Sequence, residues 1–255
     1  MLRELYNYRQ LLKSNVRKEI RGKYKGSFLG VLWSFVNPLL TTLVYAIVFP
    51  FLLRGGQEHY TTFLVVAILP WTYFTTVIAQ GTSTILTNGG ILKKVYFPRE
   101  ILPISINVSG LINFLISCLI IALFLIFSGI GFSLYIVFLP VIIFVQFLLL
   151  QGIIFITSSI NVYIRDLEYI INFFIQMLFY GTPILYSADL FPPKVQTILH
   201  LNPMATIIES YRDVLFYQQS PNLLHLIYVF IFSIILLFIG TLVFKKLEKG
   251  FAEEL

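Results

Sequence analysis

The chain has 255 residues, of which 58% are hydrophobic and only 12% are charged, and its formal net charge is +6. A soluble domain carries about twice that charged fraction, so the composition excludes an ordinary globular protein and indicates an integral membrane protein. The first residues are polar and basic over a long stretch, which is not the pattern of a cleavable signal peptide.

The N-terminal arm, residues 1–25, is predicted to form a basic amphipathic helix. Basic side chains recur every four residues from Arg9 to Lys25, beside an apolar stripe that runs from Tyr8 to Tyr24. Such a helix lies in the membrane interface, where anionic lipid head groups attract it. The arm therefore either sets the topology alone or also shapes a cytoplasmic opening for a substrate.

Long runs without a charged residue predict six membrane-spanning helices. A helix needs about 20 residues to cross the hydrocarbon core, so the charge-free run 101–164 is too long for one crossing. The turn residues Ser128-Gly129-Ile130-Gly131 divide it into two. The predicted spans cover residues 28–53, 61–86, 102–127, 133–160, 169–187 and 223–244.

The distribution of Lys and Arg predicts the orientation. All but three of the 18 Lys and Arg residues lie in the arm, in the loops after spans 2 and 4, or in the tail 245–255. The exceptions are Arg54, Lys194 and Arg212. Because cytoplasmic loops are enriched in Lys and Arg, both termini are predicted to be cytoplasmic and the connection between spans 5 and 6 external.

The loop 88–100 after span 2 is predicted to contain one or two helical turns over 91–97. Gly89-Gly90 end the preceding helix in this interpretation, and Pro98 prevents the short helix from continuing. Exposed apolar residues beside Lys93 and Lys94 suit a docking site for a cytoplasmic partner. They equally suit a loop that dips into the membrane interface.

The connection 187–221 is too apolar for a solvated loop and is predicted to hold two short helices. Pro192-Pro193 can start the first one, over 194–201, since proline suits a first helical turn. Asn202-Pro203 then restart the chain as a second helix. Two such helices can fold back into the outer leaflet, or the second can lie on the membrane surface with its charges paired to one another or facing water. The charges in question are Glu209, Arg212 and Asp213.

The sequence lacks the residues that an enzyme or an ion-coupled carrier requires. It contains no phosphate-binding loop and no catalytic or metal-ligating motif, and His59, His200 and His225 are interpreted as structural. No ionisable residue lies in the middle of a predicted span, which argues against ion-coupled transport and against an ion channel.

Aromatic residues are abundant, with 25 Phe, 15 Tyr and 2 Trp. They fit two interpretations, a lipid-facing bulk with interface belts or the wall of a channel that stacks on sugars. The residue pattern leaves both open.

The order of motifs resembles a known family. After the basic arm come RGKYKGSFLGVLWSFVNPLL, KKVYFPREILP, NVYIRDLEYI, TPILYSADLFP, LNPMATIIESYRDVLF and KKLEKGFAEEL. Together, over essentially the whole chain, they are similar to the permease subunits of bacterial ABC exporters of lipid-linked polysaccharide, which export O-antigen, teichoic acid and capsule.

The resemblance implies an all-α permease in the bacterial cytoplasmic membrane, with two copies paired to two copies of a separate chain that binds ATP and Mg²⁺. It implies export of a glycan on an undecaprenyl-type carrier, contact with membrane lipids and none with nucleic acid. It makes residues 1–25 a gate helix, loop 88–100 a coupling loop, and residues 189–218 two re-entrant helices that close the external end.

The resemblance also implies roles for individual residues. The candidates for ATPase coupling are Ile91, Leu92, Lys93, Lys94, Val95, Tyr96, Phe97 and Arg99. The candidates for the lipid phosphate at the entrance are Arg17, Arg21, Lys23 and Lys25. The candidates for the channel wall are Tyr45, Phe49, Phe173, Tyr180 and Tyr186. The candidates for the external gate are Pro203, Glu209, Arg212 and Asp213.

Two other functions remain open at the level of sequence. A drug or lipid exporter of the same superfamily would share the coupling loop and the re-entrant helices. A membrane component of glycan assembly that does not transport, such as a glycosyltransferase or a scaffold, belongs to a different class. The absence of a DxD-like acidic pair argues against the glycosyltransferase.

Overall fold

The computed structural model describes residues 6–22, 33–53 and 58–255, and all regular elements in these segments are helical. The predicted all-α class is therefore confirmed. The α-helices are α1 (Arg9–Gly22), α2 (Trp33–Leu53), α3 (Tyr60–Thr87), α4 (Gly89–Leu92), α5 (Ile101–Phe127), α6 (Leu139–Tyr163), α7 (Leu167–Tyr180), α8 (Pro193–His200), α9 (Pro203–Leu215), α10 (Leu223–Leu247) and α11 (Phe251–Glu254).

Four helical segments of the described chain are long and apolar enough to cross a membrane. They are Tyr60–Thr87, Ile101–Phe127, Leu134–Tyr163 and Leu223–Glu254. The helix α2 adds 21 residues without a charge. These segments overlap predicted spans 2, 3, 4 and 6 and the described part of span 1, and the six-span topology stays a prediction.

The fifth predicted span, 169–187, is wrong in its second half. The helix α7 has 14 residues and ends at Tyr180, which gives a length of about 21 Å against a hydrocarbon core of about 30 Å. Gly181 ends the helix, and the chain then turns through Pro183 towards α8. Because glycine and proline both disfavour continued helix, the apolar run extends beyond the helix that it was expected to form.

The centre of the bundle is α3, which packs against α2, α5, α6, α7 and α9, while α6 and α10 form the most extensive helix pair. Two glycines allow that pair to approach closely. A Cβ placed on Gly240 would lie 2.6 Å from the carbonyl oxygen of Gly152. Small residues at such contacts are the usual basis of helix packing within membranes.

The predicted glycine turn between spans 3 and 4 is confirmed. Gly129 and Gly131 have φ angles of 75° and 72°, in the left-handed region that glycine adopts without a steric penalty. The turn reverses the chain between α5 and the 3₁₀ turn Leu134–Phe138 that leads into α6.

Contacts gather the connecting segments at two ends of the bundle. At one end, which we call the basic end, Lys18 donates to the Asn88 side chain (3.0 Å) and Arg99 donates to the carbonyl of Glu248. At the other, the turn end, the Gln218 side chain donates to the carbonyl of Ile130. The loops that the charge distribution assigns to one side of the membrane therefore lie at one end of the bundle.

Candidate functional site

The helix α9 begins as the sequence predicts. The Asn202 side chain accepts a hydrogen bond from the Met204 backbone N–H (3.0 Å), and Pro203 occupies the first turn. The Asn202 amide also donates to the Thr182 hydroxyl (2.9 Å). One side chain thus caps α9 and fixes it to the turn that follows α7.

The interior of the bundle encloses α9, so the alternative in which this helix lies on the membrane surface is wrong. Ten of its 13 residues are buried, and it packs against α3, α6 and α10. The Tyr211 hydroxyl donates to the Gln146 side chain (2.9 Å), which in turn donates to the carbonyl of Pro70 (2.9 Å). Polar residues on the neighbouring helices allow this segment to be buried because they satisfy its hydroxyl.

Arg212 is 2% exposed and holds the turn after α7 in place. Its guanidinium donates to the carbonyls of Pro183, Ile184 (2.5 Å) and Tyr186 (3.2 Å). It also lies 3.5 Å from the ring centroid of Phe63 on α3. Arg212 therefore does not face bulk water, and its hydrogen bonds go to carbonyls rather than to Glu209 or Asp213, although Glu209 also attracts the buried charge. Burial lowers the pKa of Arg212 to about 9, so the side chain is charged at neutral pH and its charge is met by carbonyl dipoles.

A cavity of about 490 Å³ opens at the turn end between α8, α9 and the start of α10, and we call it the polar cavity. Within it Glu209 lies 3.1 Å from the His200 ring nitrogen Nδ1. The His200 and His225 rings pack with their centroids 4.5 Å apart. The polar cavity is lined by Ser187, Ala188, Asp189, Gln196, His200, Glu209, Arg212, Asp213, Tyr217, Gln219, Ser220, Pro221, Asn222 and His225.

Two carboxyl groups of the polar cavity, those of Glu209 and Asp213, have raised pKa values. Burial, then the neighbouring Asp213 and Asp189, raise the pKa of Glu209 to about 7. Burial is also the main cause that raises the pKa of Asp213 and lowers that of His200. The described residues contain no group of three or more His, Cys, Asp or Glu side chains placed to hold a metal ion.

The helix α7 contrasts with α9, because none of its residues is buried. Two channel-wall candidates lie on this helix, with Phe173 61% and Tyr180 74% exposed. Gln176 lies between them on the same exposed face. Tyr186 is half-buried, and its hydroxyl donates to the Tyr180 carbonyl (2.8 Å). The exposed face of α7 thus combines aromatic rings with an amide.

The coupling loop differs from the predicted short helix over 91–97. Gly89 and Gly90 begin α4 instead of ending a helix, and α4 ends at Leu92. Leu92 and Phe97 are buried in a cluster with Phe244 and Phe251.

Arg99 joins the coupling loop to the tail, because its guanidinium also lies over the Phe251 ring, with Cζ 5.7 Å from the ring centroid. Three apolar residues of the loop are exposed, namely Ile91, Val95 and Tyr96, the last of these by 93%. Lys93 and Lys94 beside them are exposed as well. Only part of the predicted docking set therefore faces outwards.

The arm is helical over Arg9–Gly22, and its apolar stripe faces the bundle; residues 1–5 and 23–25 of the predicted helix lie outside the described residues. Leu12, Val16 and Ile20 line a groove of about 400 Å³ against Val108 and Ile112 of α5. Two basic side chains, Lys13 and Arg17, border the same groove. Other entrance and channel candidates lie outside the described part of the structure: Lys23 and Lys25 entirely, and Arg21, Tyr45 and Phe49 in their side chains.

Sequence reasoning missed the partners that complete this site. His200 and His225 lie 25 positions apart in the chain and show no sequence pattern that links them, yet the fold brings their rings into contact at a 39° tilt. The carbonyls that hold Arg212 come from backbone atoms of a turn, which no sequence pattern reveals. The available signal was the Thr-Pro-Ile-Leu-Tyr stretch itself, where proline breaks an apolar run.

Comparison with known proteins finds a matching family model and several similar sequences. The family model described as ABC-2 type transporter matches residues 10–216. The chain is 33% identical to an "O-antigen export system permease protein RfbA" from Myxococcus xanthus, over 100% of this chain and 99% of that protein. It is 35% identical to a protein of the same name from Klebsiella pneumoniae, over 95% of this chain and 94% of that one.

Proposed function

The chain belongs to the ABC-2 type transporter family, and from this premise we propose that it is the permease subunit of an exporter of O-antigen-type polysaccharide. The observation that carries the proposal is the end-to-end similarity to permeases whose names state that activity. The long apolar helices of the described chain support it. On this proposal the substrate is carried on an undecaprenyl-type lipid and crosses the cytoplasmic membrane from the inner to the outer face.

ATP hydrolysis belongs to a separate subunit in this proposal. The sequence carries no phosphate-binding loop, so ATP and Mg²⁺ bind to a partner chain, and two permeases pair with two such chains. The exposed tip of the coupling loop, with Tyr96 at its end, meets that partner. Leu92 and Phe97 are packed against α10 and the tail, so a push on the tip moves these helices with it.

The substrate path runs from the basic end to the turn end. Arg17, beside the apolar groove of α1, can attract a phosphate head group while the lipid tail stays in the bilayer. The exposed face of α7 offers rings and an amide to a glycan, since aromatic faces stack on the apolar surfaces of sugars. The α8–α9 segment then closes the external end. The basic end is cytoplasmic in this scheme.

The decisive experiment uses the permease purified with the ATP-binding subunit and reconstituted in liposomes. ATP turnover is measured with undecaprenyl-linked glycan, with undecaprenyl phosphate alone, with phospholipid alone and with a hydrophobic drug. We expect only the lipid that carries glycan to raise turnover. Stimulation by the drug or by phospholipid alone would contradict the polysaccharide assignment and favour a drug or lipid exporter.

A matched pair of tyrosine variants tests the coupling loop in the same preparation. Tyr96→Ala removes the exposed ring at the basic end, and Tyr135→Ala removes a 40% exposed ring at the turn end. We expect Tyr96→Ala alone to weaken co-purification with the ATP-binding subunit or to abolish stimulation. Equal behaviour of the two variants would contradict the role of the loop.

A further inference from the structure

We propose that the polar cavity binds one neutral sugar ring. This inference rests on the proposed function, because it assigns that ring to the glycan that leaves the transporter. The volume of the polar cavity, about 490 Å³, lies within the size range of small-molecule sites in proteins. Residues from α8, α9 and the start of α10 line it, so a bound ring would contact all three helices.

The lining offers hydrogen-bond acceptors and donors together. Asp189, Glu209 and Asp213 supply carboxyl oxygens, and Ser220 and Asn222 supply a hydroxyl and an amide that can donate. The cavity therefore suits a ligand that both donates to carboxyl oxygens and accepts from O–H and N–H groups.

This requirement selects among ligand classes. An anion can accept from the hydroxyl and amide groups, but it cannot donate to the carboxyl oxygens. An ammonium group can donate to the carboxyl oxygens, but it has no lone pair to accept from the hydroxyl and amide groups. A hydroxyl group both donates and accepts, and adjacent hydroxyls on a pyranose ring can meet several such partners at once.

Aromatic side chains at the same cavity favour a ring-shaped ligand. Tyr217 is 41% exposed and lines the cavity, with its ring held edge-on against Phe216 at 5.1 Å. The His200 and His225 rings, which are tilted by 39° with their centroids 4.5 Å apart, contribute another aromatic surface. Such surfaces can cover the C–H face of a sugar while the polar groups bind its hydroxyls.

The test is saturation-transfer NMR on the permease–ATPase complex in lipid nanodiscs free of glycosidic detergent. The probes are D-mannose, D-galactose and N-acetyl-D-glucosamine, compared with glucosamine as a cation and glucuronate as an anion. We expect transfer to at least one neutral sugar and weaker transfer to both charged probes. The proposal would be overturned if none of the three neutral sugars showed transfer, or if glucuronate showed transfer equal to that of the neutral sugars.

Two variants at exposed residues test whether the sugar binds in the polar cavity. Asp189→Ala removes an exposed carboxylate of the cavity, while Lys194→Ala alters an exposed side chain of α8 outside the lining. We expect Asp189→Ala to weaken sugar binding about tenfold, as for one lost hydrogen bond to a charged group. Lys194→Ala should bind as the unmodified protein does. Equal binding by the two variants would overturn the assignment to this cavity.

ATP turnover on the same nanodiscs separates this inference from the proposed function. Stimulation by undecaprenyl-linked glycan without binding of any neutral sugar would overturn the sugar site and leave the exporter assignment intact. Sugar binding that Asp189→Ala weakens, without such stimulation, would support the site and contradict the exporter assignment.

Discussion

Two helices, α7 and α9, are buried in the opposite way to what their hydropathy predicts. The helix α7 is mostly apolar, yet none of its residues is buried. The helix α9 carries Glu209, Arg212 and Asp213, yet ten of its 13 residues are buried. In a membrane, an apolar face is as stable against lipid or another subunit as in the core, whereas a polar segment needs protein partners. Hydropathy therefore reports the surrounding solvent rather than the depth of a helix in the protein.

The free-energy cost of burying the polar side chains of α9 is offset by specific hydrogen-bond and ring contacts. Arg212 finds three carbonyls and the Phe63 ring, and Tyr211 finds Gln146. The exposed face of α7, in contrast, has no comparable requirement and is free to serve a substrate or a second subunit. The difference implies that substitutions in α9 act on stability and that those on the face of α7 act on transport.

The largest effect on stability is expected for Arg212→Met, which tests the contrast between α7 and α9. The substitution keeps an unbranched apolar stem but leaves the carbonyls of Pro183, Ile184 and Tyr186 without their donor. Each unsatisfied buried acceptor costs about 1–3 kcal/mol, so we expect a loss of about 3 kcal/mol or more and little folded protein. Thermal unfolding in nanodiscs measures the effect, with Arg165→Met at an exposed position as the control. Unchanged stability of Arg212→Met would contradict the role of Arg212 as the fixing residue of the turn.

The next largest effect concerns Glu209 and depends on pH. Because the pKa of Glu209 is raised from 4.5 to about 7, the folded protein binds more protons here than the unfolded chain between these values, and stability falls as pH rises. As the pH rises from 5 to 8, we expect the stability of Glu209→Gln to increase relative to that of the unmodified protein, by on the order of 2 kcal/mol. Unfolding midpoints across that range test it.

The lowered pKa of His200 acts in the opposite direction, because folding then loses stability as pH falls through the usual range of histidine. That contribution is confined to pH values up to the ordinary pKa of histidine, about 6.5, so the part of the stability difference that develops above this pH reports Glu209. Glu253→Gln, which alters an exposed carboxylate in the tail, is the matched control. A stability difference for Glu209→Gln that is constant with pH would exclude Glu209 as the titrating group.

Sequence alone predicted the parts of this molecule that local pattern determines. Charge-free runs found the long helices, Gly129 and Gly131 marked the turn between α5 and α6, and Asn202-Pro203 marked the start of α9. The burial of Arg212 could not be predicted, because its acceptors are backbone atoms of a distant turn. The length of α7 was mispredicted for a related reason, since an apolar run continues past Gly181 while the helix does not.

The coupling loop shows the same limit on a smaller scale. Its composition predicted an exposed apolar surface, and Tyr96 fits this prediction. Leu92 and Phe97 have the same character but are buried against α10 and the tail. Which apolar side chain points inwards depends on contacts between segments far apart in sequence.

A smaller effect is expected for Tyr211→Phe, which refines the account of α9. Removal of the hydroxyl leaves the Gln146 oxygen without this donor, and hydrogen bonds between membrane helices contribute about 0.6 kcal/mol on average. We expect a loss of about 1 kcal/mol in unfolding measurements. A double-mutant cycle with Gln146→Leu should show coupling between the two sites. Strict additivity would mean that the hydrogen bond does not help to hold α9 in the bundle.

The smallest effect on stability is expected on α7, where the double variant Phe173→Ala, Tyr180→Ala completes the contrast. Both rings are mostly exposed, so the free energy of unfolding should change by only about 0.5 kcal/mol per site, as for surface positions. Glycan-stimulated ATP turnover should nevertheless fall if this face contacts the substrate. The matched control is Leu119→Ala, Leu123→Ala on the exposed face of α5, at 61% and 53% exposure. Equal turnover in both double variants would make the α7 face a lipid-facing surface like that of α5, whereas loss of turnover at unchanged stability would separate a helix used for transport from one used for structure.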